Sequence, residues 1–254
     1  MAHQEYIREV PGSKTVVLCI HGILGTPDQF NPLLGQIPKD WSIFNILLDG
    51  HGKDVQDFSH SSMAKWKAQV GQTLTYLSVR YSKIVIMAHS MGSLFAIQAV
   101  TGGCKKVKAL FLIGTPLVPI LRPSCIGNSL DIIYNHNTKD NHIRRAQKDA
   151  FSIHPDKRIW LYLGWIPRYI ELFKEIAKTK KCISHVNVPC RVFLSQWDEL
   201  VSLRSYKYLK DNPRIKVSVL NGATHFYFNE QHNDRMQRSL RFLCHKIDML
   251  PIKK

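Results

Sequence analysis

The chain has 254 residues, 44% of them hydrophobic and 21% charged, enough to bury a core without disulfide or metal support, which excludes a mini-protein scaffold and a disordered chain. Its 35 Lys and Arg against 19 Asp and Glu leave +16, an excess that suits an anionic partner, yet no zinc-finger spacing, RNP-like aromatic motif or basic arm speaks for nucleic acid. The six cysteines are far apart with no Cys-x-x-Cys pair, residues 1–12 lack the apolar stretch of a secretory signal, and no apolar run approaches the ~18 residues of a membrane span, so a reduced, cytoplasmic, soluble protein is expected.

Residues 4–10 are expected to form an edge strand, followed by strands over Thr15–Ile20 and 42–48. Later runs at 84–88, Val107–Ile113, 191–195 and 216–220 are likewise short and nearly continuous in Val, Ile, Leu and Phe, the character of strands buried on both faces. Helical patterns follow or separate them at 62–81, Met91–Thr101, 202–210 and 230–246. Strands alternating with helices predict βαβ crossovers and a mainly parallel central sheet covered on both sides, an α/β class. The rhythm breaks over 115–188, about seventy residues without a convincing strand, which reads as an insertion because structureless loops of that length are rare in compact domains. Inside it Tyr162, Trp165, Ile166, Tyr169, Ile170, Phe173, Ile176 and Ala177 follow helical spacing, with Gly164 at the entry and Pro167 suited to a first helical turn.

The chemistry concentrates after strands. Ala88-His89-Ser90-Met91-Gly92 leaves a strand and opens a helix, the context that gives a small-x-Ser-x-Gly sequence its meaning as a nucleophile turn. The other reading is a helix N-cap serine. A serine hydroxyl needs a base, and the base needs an orienting group. His225, beyond the strand at 216–220, is the candidate base, and Asp198, beyond the strand at 191–195, the candidate orienter, with Glu199 as the alternative acid. Asp49 lies on the wrong side of the serine in chain order. In a parallel sheet these strand ends share one edge, so Ser90, Asp198 and His225 can converge. The segment His21-Gly22-Ile23-Leu24-Gly25 follows the first strong strand at that edge, and Ile23 N–H with Met91 N–H would form an oxyanion hole. His51 is expected at a turn or pocket base, His89 to point away from the nucleophile, and Ser93 to pack in the helix. No P-loop, dinucleotide motif or His-Glu-x-x-His site is present, so no cofactor and no metal are implied.

These motifs together resemble the α/β-hydrolase superfamily, in particular serine hydrolases of the carboxylesterase and monoacylglycerol-lipase type. The resemblance runs from the strand at Thr15–Ile20 through His225 and includes His21-Gly22, Asp49-Gly50-His51-Gly52 and the Ala88 to Gly92 turn, where Ala88 replaces the usual glycine. It implies a hydrolase core over 1–114 and 189–254 and, over 115–188, a helical cap inserted after the sixth strand and covering an acyl pocket. The expected reaction is cleavage of short- to medium-chain acyl esters or monoacylglycerols through an acyl-enzyme intermediate. Trp165 and Tyr169 are the expected substrate-binding residues. An acyl thioesterase and a non-enzymatic ligand-binding homologue are the alternatives. The apolar face at 162–177 with its neighbouring Lys and Arg is read first as pocket lining, and second as a surface for transient contact with an anionic membrane.

Overall fold

The computed structural model describes residues 3–134 and 141–251. In chain order the elements are β1 (Tyr6–Arg8), β2 (Thr15–Ile20), α1 (Asn31–Leu34), β3 (Ser42–Ile46), α2 (Val55–His60), α3 (Met63–Arg80), β4 (Lys83–His89), α4 (Met91–Thr101) and β5 (Val107–Ile113). The chain then forms α5 (Pro123–Ile133), α6 (His142–Ala150), a 3-10 turn at Ile159–Trp165 and α7 (Ile166–Lys180). It returns through β6 (Cys190–Ser195), α8 (Tyr206–Leu209), β7 (Ile215–Leu220) and α9 (Glu230–Asp248). The seven strands make one sheet in the order β1-β3-β2-β4-β5-β6-β7. Every neighbouring pair is parallel except β1 with β3. Crossovers through helices force the parallel pairing, whereas β1 borders the sheet on one side only and is free to run the other way.

The apolar runs read as doubly buried strands divide between two core layers with a period of two. Val16, Leu18, Ile20, Ile84, Ile86 and Ala88 face the layer that also holds side chains of α3, α4 and α7. Val17, Cys19, Val85 and Met87 face the opposite layer, with Trp41 and the apolar side of α9. The last turn of α9 is held by Lys83, whose Nζ donates to the carbonyls of Ile247 (2.8 Å), Asp248 (3.3 Å) and Leu250 (2.5 Å), groups that a helix end leaves without intrahelical partners. All six cysteines are free thiols. No helix among the described residues is long and apolar enough to cross a membrane.

Between β5 and β6 the described residues contain helices and 3-10 turns and no strand. In this chain the segment follows the fifth of seven strands, not a sixth, because only one short strand, β1, precedes β2. Its helix α7 docks on the body through polar groups. Lys67 Nζ lies 3.0 Å from Glu175, and Gln98 Nε2 donates to both Glu175 Oε2 and Thr179 Oγ1 at 2.8 Å. Arg168 donates to the carbonyls of Ser59 and Ser61 and pairs with Glu171. The apolar stripe expected over 162–177 is not one face. Tyr162, Trp165, Tyr169 and Phe173 border a cavity, Ile176 is buried in the core, and Ile166 and Ile170 are half exposed.

Candidate active site

Ser90 stands between β4 and α4 with φ 50° and ψ −121°, one of two non-glycine residues at positive φ among those described, the other being Leu24. An L-residue adopts that backbone only where its surroundings hold it there. The hold comes from close packing: a Cβ on Gly92 would overlap the Ile20 carbonyl, and one on Gly22 would come within 2.8 Å of Ser90 Cβ. The turn therefore needs glycine two residues after the serine and glycine in the facing loop, as the sequence pattern suggests. Ser90 N–H donates to Ile113 O at 2.8 Å, which ties the turn to β5.

The three candidate triad residues come from the C-terminal ends of β4, β6 and β7. His225 Nδ1 lies 2.9 and 2.8 Å from the two Asp198 oxygens. Asp198 Oδ1 also accepts the N–H groups of Leu200 and Val201, so the carboxylate is fixed before it meets the ring. Burial alone would lower the His225 pKa, and the Asp198 carboxylate, by charge and hydrogen bond, outweighs it with help from Glu199, so the pKa is raised above the ordinary histidine value. Glu199 does not contact the ring. Its Oε2 accepts the His225 backbone N–H at 2.9 Å, which holds the histidine loop in place. Asp49 is elsewhere, its carboxylate accepting from Ser61 Oγ and lying 3.7 Å from Lys65 Nζ. Among the described residues no hydrogen bond links Ser90 Oγ to His225.

The loop after β2 is shaped by His21, which accepts Leu48 N–H on Nε2 and donates from Nδ1 to Gly22 O. Leu24, at φ 58°, turns its carbonyl to the Ser152 N–H at 2.9 Å. This backbone brings Gly22 against Ser90 and leaves the N–H groups of Ile23 and Met91 without a hydrogen-bond partner among the described residues. Two N–H groups beside a serine at a helix N-terminus can stabilise an oxyanion.

Trp165 and Tyr169 both line a cavity of about 470 Å³, which also touches Ile23, Leu200 and Phe226 from the loops around the triad. Its walls are almost wholly aliphatic and aromatic, and burial there pushes the Tyr169 phenol pKa up. Trp165 has a second task that its spacing could not reveal: its Nε1 donates to Val55 O at 3.1 Å and its ring lies 4.9 Å from Phe58. His51 closes a turn, its N–H donating to Leu48 O at 3.0 Å, and packs against His21, Phe58 and Trp66 without lining the cavity. Ser93 Oγ donates weakly to Ala88 O within the helix start.

His89 packs on His225. Its ring lies 4.7 Å from that of His225, and its Nε2 donates to the His225 carbonyl at 3.2 Å. Burial and then the charge of His225 lower its pKa to about 3, so it is a neutral packing partner of the His225 ring. The only hint in the sequence is its place beside the serine.

No family model matches the chain, and no curated protein does. Solved structures do. A metagenome-derived lipolytic enzyme superposes with a TM-score of 0.70 at 16% identity, over 95% of this chain and 97% of the other. The meta-cleavage product hydrolase of Pseudomonas fluorescens IP01 gives 0.69 at 18% identity, over 96% and 94%. The monoacylglycerol lipase of Paleococcus ferrophilus gives 0.64 at 14%, over 96% and 99%. The chain has the α/β-hydrolase fold, the fold that its sequence motifs resemble.

Proposed function

We propose that the chain is a serine hydrolase that cleaves carboxylic esters of apolar acyl chains through an acyl-enzyme intermediate. The observation that carries this reading is the His225 ring fixed by Asp198 at 2.8 Å at the same sheet edge where Ser90 is held at positive φ. His225 takes the Ser90 proton as Oγ attacks the acyl carbon, and Asp198 holds the tautomer whose Nε2 is the free base and stabilises the imidazolium that forms. Ile23 and Met91 N–H groups bind the tetrahedral oxyanion, and His225 returns its proton to the leaving alcohol. Water, activated by the same histidine, then releases the acid. The cavity beside Ile23 and Phe226, walled by Trp165 and Tyr169, suits an acyl chain because it offers apolar contact and few hydrogen bonds. The lipolytic and monoacylglycerol lipase neighbours are compatible with such a substrate.

A fluorophosphonate probe tests the proposal. Covalent labelling of the wild-type protein, lost in Ser90→Ala, is the expected result, together with a fall in ester turnover of roughly 10⁴-fold or more. An unlabelled wild-type protein that still binds acyl ligands would make it a binding protein instead.

A further inference from the structure

One side of the molecule carries apolar side chains that the fold leaves uncovered. Leu121, Ile126, Leu130 and Phe173 are 62, 49, 47 and 53% exposed, although all four also line the 470 Å³ cavity. They form its rim. On α7, Ile166 and Ile170 share a face with Phe173 at i, i+4 and i+7. Leu163 and Trp160, 65% and 62% exposed, carry the apolar surface along the preceding 3-10 turn. Soluble monomers seldom leave more than a few hundred Å² of contiguous apolar surface, and a larger patch marks something that covers it.

Two further observations say what. Lys174 stands on the exposed side of α7, Lys181 follows it, and Lys157 lies in the segment ahead; none of the three forms an ion pair among the described residues. A second copy of this chain would bring the same +16 against that face, which opposes self-association. A protein partner seated there would also close the cavity mouth. An anionic bilayer meets both demands, since lipid tails match the rim and lipid phosphates match the lysines.

We propose that this face docks on an anionic membrane surface, with Ile166, Ile170 and the rim side chains in the headgroup boundary and the lysines on the phosphates. The cavity mouth then opens toward the lipid, so an apolar ester enters without crossing water. The docking itself does not depend on hydrolysis; the role given to the cavity rests on the ester reading above.

Co-sedimentation of the full chain with phosphatidylglycerol-containing and pure phosphatidylcholine vesicles, at low and high salt, tests it. The measurement is made on Ser90→Ala as well as on wild type, so that failure of the ester reading leaves the binding result intact. Both proteins should bind the anionic vesicles at low salt, and high salt should weaken binding by about tenfold or more because charge attraction is screened within about 10 Å at 0.1 M. The double variant Ile166→Glu, Ile170→Glu should lose about tenfold or more in vesicle binding while keeping the wild-type melting profile and turnover of a soluble short-chain ester. Absence of binding to anionic vesicles at low salt would overturn the proposal. So would binding that is indifferent to the double variant, equal binding to neutral vesicles, or a dimer in solution that the double variant dissociates.

Discussion

Ser90 is held at φ 50° by contacts that admit no larger neighbours, so the strain of the turn is offset by packing around Gly22 and Gly92. Gly92→Ala should therefore cost stability as well as turnover, read as a lower urea midpoint, because its Cβ meets the Ile20 carbonyl and the backbone has nowhere to move. His225 makes a different demand. Its pKa is raised, so the imidazole takes a proton at a higher pH than a free histidine does, and the base is lost as pH falls through that value. The acid limb of kcat/KM should consequently have its midpoint above the ordinary value of about 6.5. In Asp198→Asn the attraction that raises the pKa is gone and the ring is free to take the wrong tautomer. That variant should lose roughly 10⁴-fold in kcat, with any residual limb moved to lower pH. A wild-type midpoint at or below 6 would contradict the electrostatic account, and near-normal turnover in Asp198→Asn would remove Asp198 from the reaction.

At the scale of elements, the loop after β2 and the turn that enters α7 are joined by rings meeting edge to face: His21 against His51, His51 against Phe58 and Phe58 against Trp165, at 4.7, 5.3 and 4.9 Å between centroids. Trp165 is thus an anchor and a cavity wall at once. Trp165→Ala should lose about 1–3 kcal/mol of stability along with any effect on substrate, whereas Tyr169, whose hydroxyl makes no hydrogen bond among the described residues, can be changed to Phe at little structural cost. Tyr169→Ala should alter acyl-chain preference where Tyr169→Phe does not, checked by KM across an acyl series beside a melting curve; an unchanged series would take Tyr169 out of substrate selection. The apolar spacing at 162–177 announces the helix but not the division of its apolar residues among cavity, core and solvent, because periodicity records only that a side is apolar. The placement of Ser90, Asp198 and His225 after β4, β6 and β7 is legible for the opposite reason, since a parallel sheet brings those strand ends to one edge whatever the intervening length. The contact of His89 with His225 was not, because the direction of a ring beside the nucleophile follows from the backbone of the turn itself.

Across the whole molecule, burying histidines near the site ties stability to pH. His21, His51 and His89 are all held neutral, burial being the first cause in each, with His51 lowered to about 4 and His89 to about 3. A group whose folded pKa lies below its unfolded value supports folding fully above the unfolded pKa, about 6.5 for histidine, and withdraws that support as pH falls toward the folded value. At pH 5 the unfolded chain gains about 2 kcal/mol from protonating a ring such as His51 or His89, a large share of a total stability of about 5–15 kcal/mol. His225 works the other way, since its raised pKa favours the folded state at low pH, but it is one ring against three. The urea midpoint should therefore fall steeply between about pH 6.5 and 4, a window set by the buried neutral histidines. Replacing His51, whose Nε2 has no hydrogen-bond partner among the described residues, by Phe should flatten the fall by one proton's share. Equilibrium urea unfolding at pH 7, 6 and 5, read beside activity, separates this loss from titration of the base: the base recovers at once on return to neutral pH in folded protein, while the midpoint reports the fold. A midpoint unchanged from pH 7 to 5 would mean that these rings already carry protons in the folded state.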